Sequence, residues 1–247
     1  MERIKAVLAH WNISDFLIVE RFPEQTERIL CHIRTMEGDY FLRGIPCEKE
    51  EATVRGNVQA HEFLGNRRHM APAVFSTADG CNYVADGGYW FYLMEYIAGK
   101  NLEEIQEDEY SLGKLAAKLH GIQGYDCPSG LKQDKSQFYG WFSEKPFKEE
   151  FDRILEELPD FTLYDQCLIH TDLGPHNDMR SVSGEGVLID LDDAGIGSKY
   201  LDLGWAFIMQ FVDFDHQTGG MRYRFDLALA FLNGYYEGRT LFRKEYD

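Results

Sequence analysis

Two short apolar runs bracket a polar loop between residues 167 and 193, and this arrangement limits the fold more than any other feature of the chain. The first run, Cys167-Leu168-Ile169, passes straight into His170-Thr171-Asp172-Leu173-Gly174-Pro175-His176-Asn177. The second, Val187-Leu188-Ile189, ends in Asp190-Leu191-Asp192-Asp193. Each run has the length and character of a buried strand. The polar residues then fall on loops, where a rigid scaffold can present them to a cleft. A carboxylate, an amide oxygen and a second carboxylate in this order suit phosphoryl transfer from a nucleotide. One carboxylate orients or deprotonates the attacking hydroxyl, while an Asn and an Asp hold the metal that bridges the phosphates.

On this reading Asp172 is the candidate base, and Asn177 and Asp190 are the candidate metal ligands. Mg²⁺ suits the pair, because it keeps several waters and takes one or two carboxylates plus phosphate oxygens. Asp192 lies two residues past Asp190, on the same side of an extended chain. It is either a second metal contact or a hydrogen-bond anchor. His170 ends an apolar strand, so the expectation is a buried histidine bonded to backbone. Asp202 opens an apolar run and is expected to cap a helix, to brace the Asp172 loop, or both.

The rest of the chain divides by character. Ile4, Val7, Leu8 and Trp11 recur at helical spacing. Extended segments follow at 16–20, 29–33 and 40–45, with a turn at Met36-Glu37-Gly38-Asp39, and together they predict an antiparallel meander. A helix is expected over 54–64, short strands at 74–75 and 83–84, and a longer strand over 89–97. After Gly99 helical patterns dominate: residues 112–120, 142–158, 201–214 and 224–237. The fold class is therefore α+β in two lobes. Residues 1–96 are expected to form an N-terminal sheet lobe, and 97–247 a mainly helical lobe that carries the catalytic loop.

The formal net charge of -17 argues against a nucleic-acid partner and an anionic membrane surface, and favours cationic ligands. No apolar run is long enough to span a membrane, and the N-terminus lacks a signal-peptide pattern. Five scattered cysteines without metal-ligand spacing predict reduced thiols in the cytoplasm.

With these residues in view, the chain resembles the aminoglycoside phosphotransferase family, within the protein-kinase-like group that includes choline kinases. The resemblance runs over about 16–240. It rests on His170-Thr171-Asp172 through Asn177, on Ile189-Asp190-Leu191-Asp192-Asp193-Ala194-Gly195, and on Asp202-Leu203. Leu93-Met94-Glu95-Tyr96-Ile97-Ala98-Gly99 stands where the family has its hinge. The resemblance implies a two-lobed kinase-like fold, ATP or GTP as co-substrate, and Mg²⁺ on Asn177 and Asp190. It implies purine hydrogen bonds from the backbone of Glu95 and Ile97. Arg43 takes the place of the family's phosphate-binding strand lysine, with Glu51, Gln59 or Glu62 near the expected acidic partner. The phosphate-covering turn falls at Phe22-Pro23-Glu24-Gln25-Thr26-Glu27, which has no glycine and two carboxylates.

The expected activity is transfer of a γ-phosphoryl group to a hydroxyl of a small, cationic, aminoglycoside-like molecule, with antibiotic resistance as a possible role. Asp193, Asp213, Asp215, Asp226 and Glu237 are candidate amine contacts. Two other readings are a nucleotide-binding pseudokinase, suggested by the acidic turn and Arg43, and a metal-dependent hydrolase built on His170, Asp172, His176 and Asp190.

Overall fold

The computed structural model describes residues 2–22, 28–48, 51–129, 138–140, 142–215 and 217–245. The phosphate-covering turn expected at 22–27 falls, beyond Phe22, outside them. The chain forms two compact units. One comprises Met1–Leu102 with His176–Asp192, and the other Glu103–Pro175 with Asp193–Asp247.

The first unit is built on an antiparallel sheet. Strands β1 (Leu17–Arg21), β2 (Ile29–Arg34) and β3 (Asp39–Pro46) form the expected meander. Strand β6 (Tyr89–Glu95) pairs with β3, and the short β4 (Val74–Phe75) and β5 (Val84–Asp86) pair with β6. Residues on β6 alternate between the two faces, and both faces are covered. On one side Phe91 and Leu93 join Cys31, Ile33 and Leu42 against Ile4, Val7, Leu8 and Trp11 of helix α1 (Glu2–Leu8) and the 3₁₀ turn after it. On the other side Tyr92 and Met94 join Ile45, Val54, Val58 and Val74, so helix α2 (Glu51–His61) packs there. Burial on both faces explains why β6 reads as an unbroken apolar run rather than an alternating one. Each fully buried side chain of this size adds about 1.5–3 kcal/mol of hydrophobic stabilisation.

A second sheet in this unit has the order β10-β9-β7. Strand β7 (Gly99–Asn101) follows the hinge-like segment, and β9 (Asp178–Ser181) and β10 (Gly186–Leu188) form a hairpin. The sequence patterns single out β10 but neither β7 nor β9, which are three and four residues long and carry few apolar side chains.

The second unit is mainly helical. Helices α3 (Gln106–Gly121) and α6 (Phe225–Glu245) make its largest contact. Their backbones approach closely because Gly113 and Gly234 sit at the crossing. A Cβ on Gly113 would lie 2.0 Å from Phe231 O, and one on Gly234 would lie 2.0 Å from Tyr110 O. Helix α4 (Lys148–Glu157) starts six residues later than the predicted 142, just past Pro146, which cannot continue a helix from within. Helix α5 (Lys199–Gln210) also stops short of the predicted 214. Residues Val212–Asp215 form strand β12, paired with β13 (Gly220–Tyr223). Strand β8 (Gln166–Ile169) pairs with β11 (Gly195–Ser198) and delivers the chain to His170.

Candidate active site

The 170–172 loop is fixed from inside the second unit. Asp202, in the first turn of α5 and fully buried, accepts from His170 N at 2.7 Å and Thr171 N at 2.5 Å. The same carboxylate is 3.0 Å from Nε2 of His120 at the end of α3, and His120 Nδ1 is 2.8 Å from the Tyr235 hydroxyl. The brace expected of Asp202 is therefore present, while the N-cap position belongs to Ser198. Thr171 is held at φ 79°, a left-handed conformation rare for a β-branched residue. His170 is fully buried, and its Nδ1 accepts from Asp172 N at 3.3 Å, the backbone-bonded histidine expected from the sequence. Asp172 emerges next, and its Oδ1 accepts from the indole N–H of Trp205 at 2.6 Å. Trp205 was not singled out in the sequence. Its place three residues after Asp202, one turn along α5, is the signal that would have marked it.

The remaining candidates meet in the first unit, around a cavity of about 450 Å³. Glu95, Tyr96 and Ile97 line it, together with Phe41, Arg43, Met94, Asn177 and Asp190. Glu95 N donates to Ala73 O at 2.8 Å, which ties the strand end to the segment before β4. Tyr96 stacks on His32 with ring centroids 3.6 Å apart, and His32 Nε2 is 2.8 Å from Asp39 Oδ1. Asn177, 6% exposed, ends a 3₁₀ turn, and its carbonyl accepts from Ile189 N at 2.9 Å. That bond puts Asp190 beside Asn177 along the chain.

Arg43 is 5% exposed, which excludes a surface arginine at a strand end. Its Nη2 donates to Asp190 Oδ1 at 2.8 Å and to Asp192 Oδ2 at 2.7 Å. Burial alone would lower its pKa. The Tyr92 hydroxyl and the carboxylates of Asp192 and Asp190 outweigh that effect, and the net change is upward. Two of the expected partners, Glu51 and Glu62, are engaged elsewhere. Tyr83 donates to Glu51 at 2.8 Å, and Glu62 pairs with Arg67 at 3.1 Å. Helix α2 reaches the cluster instead through Asn57, whose Nδ2 donates to Asp192 Oδ1 at 2.9 Å.

The extended geometry assumed for residues 190–192 is also corrected. Asp190 sits at φ 59°, so a turn, not a pleat, brings the two carboxylates onto one guanidinium. Asp192 accepts from both Arg43 and Asn57, which fulfils one of the two roles open to it, that of hydrogen-bond anchor. Arg28, just ahead of β2, is another residue the sequence did not mark. Its Nη2 lies 2.8 Å from Asp192 Oδ2.

The donors near the cavity fit a small hard cation. Asn177 offers an amide oxygen and Asp190 a carboxylate that is 40% exposed. Among the described residues no group of three or more His, Cys, Asp or Glu side chains is arranged to hold a metal unaided. Two oxygen donors are a partial shell of the kind Mg²⁺ completes with water and phosphate. The hydrolase reading loses support, since it needs a protein-built cluster and one ring nitrogen of His170 already accepts from backbone.

Of the acidic residues considered for amine contacts, Glu237 accepts from Tyr110 and Lys114, which lowers its pKa. Asp215 caps its own turn through Thr218 and Gln217, with the same effect. Asp226 lies 3.8 Å from Arg224.

Solved structures similar to this chain include small-molecule kinases. An aminoglycoside phosphotransferase from Alicyclobacillus acidocaldarius superposes with a TM-score of 0.61 at 17% identity, covering 95% of this chain and 77% of that one. The amicoumacin kinase hAmiN, solved with AMP-PNP, Ca²⁺ and Ami, gives 0.66 at 16% identity, covering 96% and 76%. The choline kinase LicA from Streptococcus pneumoniae gives 0.59 at 15%, covering 99% and 91%. No curated protein sequence matches the chain. The fold is thus that of the kinase-like phosphotransferases, α+β with an antiparallel sheet and a helical part. The chain belongs to the phosphotransferase enzyme family, which it matches over residues 19–241, and its class is that of the small-molecule kinases.

Proposed function

We propose that this phosphotransferase moves the γ-phosphoryl group of ATP or GTP to a hydroxyl of a small cationic molecule. The observation that carries the reading is the cavity of the first unit, where Glu95 and Ile97 stand beside Asn177, Asp190 and Arg43. A purine would meet the Glu95 carbonyl, since the Glu95 N–H is engaged by Ala73, and the backbone N–H of Ile97. Arg43 would fork to phosphate oxygens. Asn177 and Asp190 would hold Mg²⁺, which would offset the charge of the phosphates.

Asp172 is the base in this reading. Its backbone is fixed by Asp202 through the two preceding amides, and its carboxylate is oriented by Trp205. A rigid carboxylate supplies orientation of the acceptor hydroxyl, which is most of what such a reaction asks of the protein. The acceptor site belongs to the second unit. The charge of -17 favours an amine-bearing acceptor, an aminoglycoside or amino alcohol. If the acceptor is an antibiotic, phosphorylation blocks its contacts with its target and confers resistance. Five free cysteines suit the cytoplasm, where nucleotide is abundant.

The test is a phosphorylation screen of aminoglycosides, amino alcohols and sugars with ATP and GTP, run on wild type and Asp172→Asn. Asp172→Asn is expected to bind nucleotide normally and to lose transfer by a factor of about 10²–10⁴. Asp190→Ala is expected to weaken Mg²⁺-nucleotide binding itself. Nucleotide binding by wild type without turnover on any acceptor would favour the pseudokinase. Equal turnover in wild type and Asp172→Asn would remove Asp172 as the base.

A further inference from the structure

Arg28, just ahead of β2, and Arg43, on β3, line one cavity, and Asp192 joins them. Arg43 Nη2 and Arg28 Nη2 lie 2.7 Å and 2.8 Å from the same atom, Asp192 Oδ2, while Asn57 holds Asp192 Oδ1 at 2.9 Å. Arg28 also reaches toward Asp190, with Nη1 at 3.9 Å from Oδ1. Two guanidinium groups and two carboxylates make a cluster that is neutral overall. Its parts are not equivalent, however. Asp192 is fixed by three partners, whereas the Asp190 carboxylate is 40% exposed against 19% for Asp192.

The charge of the chain gives this cluster a task. A protein at -17 offers a polyanion no general attraction, so positive charge for a phosphate chain has to be local. The sequence of 22–27, where the phosphate-covering turn is expected, does not provide it, having two glutamates and no glycine. Arg28 is the next residue in the sequence. Arg43 retains donor capacity, because its Nε is buried without an acceptor among the described residues. An arginine offers a planar fork where a lysine offers a point charge, and two forks match a chain of phosphate oxygens.

We propose that Arg28 is a phosphate-binding residue that works with Arg43 as a paired guanidinium clamp on the distal phosphates of the nucleotide. Asp192 is the positioning residue that keys both forks, taking over from α2 the anionic role that Asn57 does not fill. When nucleotide enters, phosphate oxygens replace the Asp190 carboxylate as partner of the guanidinium groups, and Asp192 keeps them in place. The proposal rests on the reading of this chain as a nucleotide-dependent phosphotransferase.

The experiment is calorimetric titration of the full chain with ATP, ADP, AMP and adenosine in the presence of a chelator. Wild type, Arg28→Gln, Arg28→Lys and Asp192→Asn are compared, with the exposed Arg67→Gln as control. Arg28→Gln is expected to weaken ATP by about tenfold to a hundredfold while adenosine stays within about twofold, with Arg28→Lys between it and wild type. Asp192→Asn is expected to lower the same ATP-to-adenosine ratio, a change that a purely structural role would not produce. Retained adenosine binding reports that each variant is folded. An ATP-to-adenosine ratio unchanged in Arg28→Gln overturns the clamp and leaves the nucleotide reading standing. A wild type that binds neither ATP nor adenosine overturns both.

Discussion

Replacing Asp202 tests how the Asp172 loop is held, and the structure sets the size of the effect. The carboxylate accepts from His170 N, Thr171 N and His120 Nε2, at 2.7, 2.5 and 3.0 Å. In Asp202→Ala the two amides lose their acceptor inside the protein. A buried polar group left unsatisfied costs about 1–3 kcal/mol, so the pair accounts for about 2–6 kcal/mol. His120 adds less, because its other nitrogen keeps Tyr235. The alanine also leaves a small void, and a loss of about 4 kcal/mol is expected in all, against a total stability of about 5–15 kcal/mol for a typical domain. Asp202→Asn keeps the volume, yet its single oxygen can serve one amide while its NH₂ faces the other, so about 2–3 kcal/mol is expected. Urea unfolding followed by circular dichroism reads both, with the slope against denaturant unchanged. Thr171→Gly is expected to be close to neutral, since relief of the strain at φ 79° opposes the greater freedom of a glycine in the unfolded chain. If Asp202→Ala and Asp202→Asn both stay within about 1 kcal/mol of wild type, Asp202 does not hold the loop, and the reasoning fails.

Three further outcomes are expected. Glu109 is fully buried, and burial, with Glu104 and Asp108 nearby, pushes its carboxyl up to about 8 from the usual 4.5. The native state then holds a proton that the unfolded chain has lost, so stability falls as pH rises from 4.5 to 8. Glu109→Gln should remove that slope, with a gain in melting temperature over wild type that is larger at pH 8 than at pH 4.5. Gly113→Ala and Gly234→Ala should each lower stability by about 1–3 kcal/mol or more, read by urea unfolding, because the new methyl would meet backbone across the α3–α6 crossing. Tyr92→Phe should be neutral or slightly stabilising in thermal melts, since the Tyr92 hydroxyl is buried without a hydrogen-bond partner among the described residues.

Much of the fold was legible because each half of the chain carries its own period. The alternating pattern of residues 29–33 and the apolar run through β6 marked the sheet, and the spacing of Leu112, Leu115, Ala116 and Leu119 marked α3. The misreadings come from breakers given too little weight. Pro146 delays α4, and Thr218-Gly219-Gly220 turns what reads as the end of a helix into a hairpin. The site divides in the same way. Asp172, Asn177 and Asp190 stand out because they are close in sequence and chemically distinctive. The partner of Arg43 does not, because it comes from segments 147 and 149 residues away, and no local pattern records such a pairing. Arg28 and Trp205 were hidden for a different reason. An arginine beside a strand and a tryptophan on a helix are common, and only the ion pair of Arg28 with Asp192 and the hydrogen bond of Trp205 to Asp172 distinguish them.

The contact between Trp205 and Asp172 also gives the protein an optical probe of its own. Indole emission responds to charge and polarity at the ring nitrogen, and here that nitrogen donates to a single carboxylate at 2.6 Å. Any ligand that draws the carboxylate away, or seals the half-exposed ring from water, will shift the emission maximum. A library of unlabelled acceptors can be ranked by that colour change before any turnover is measured.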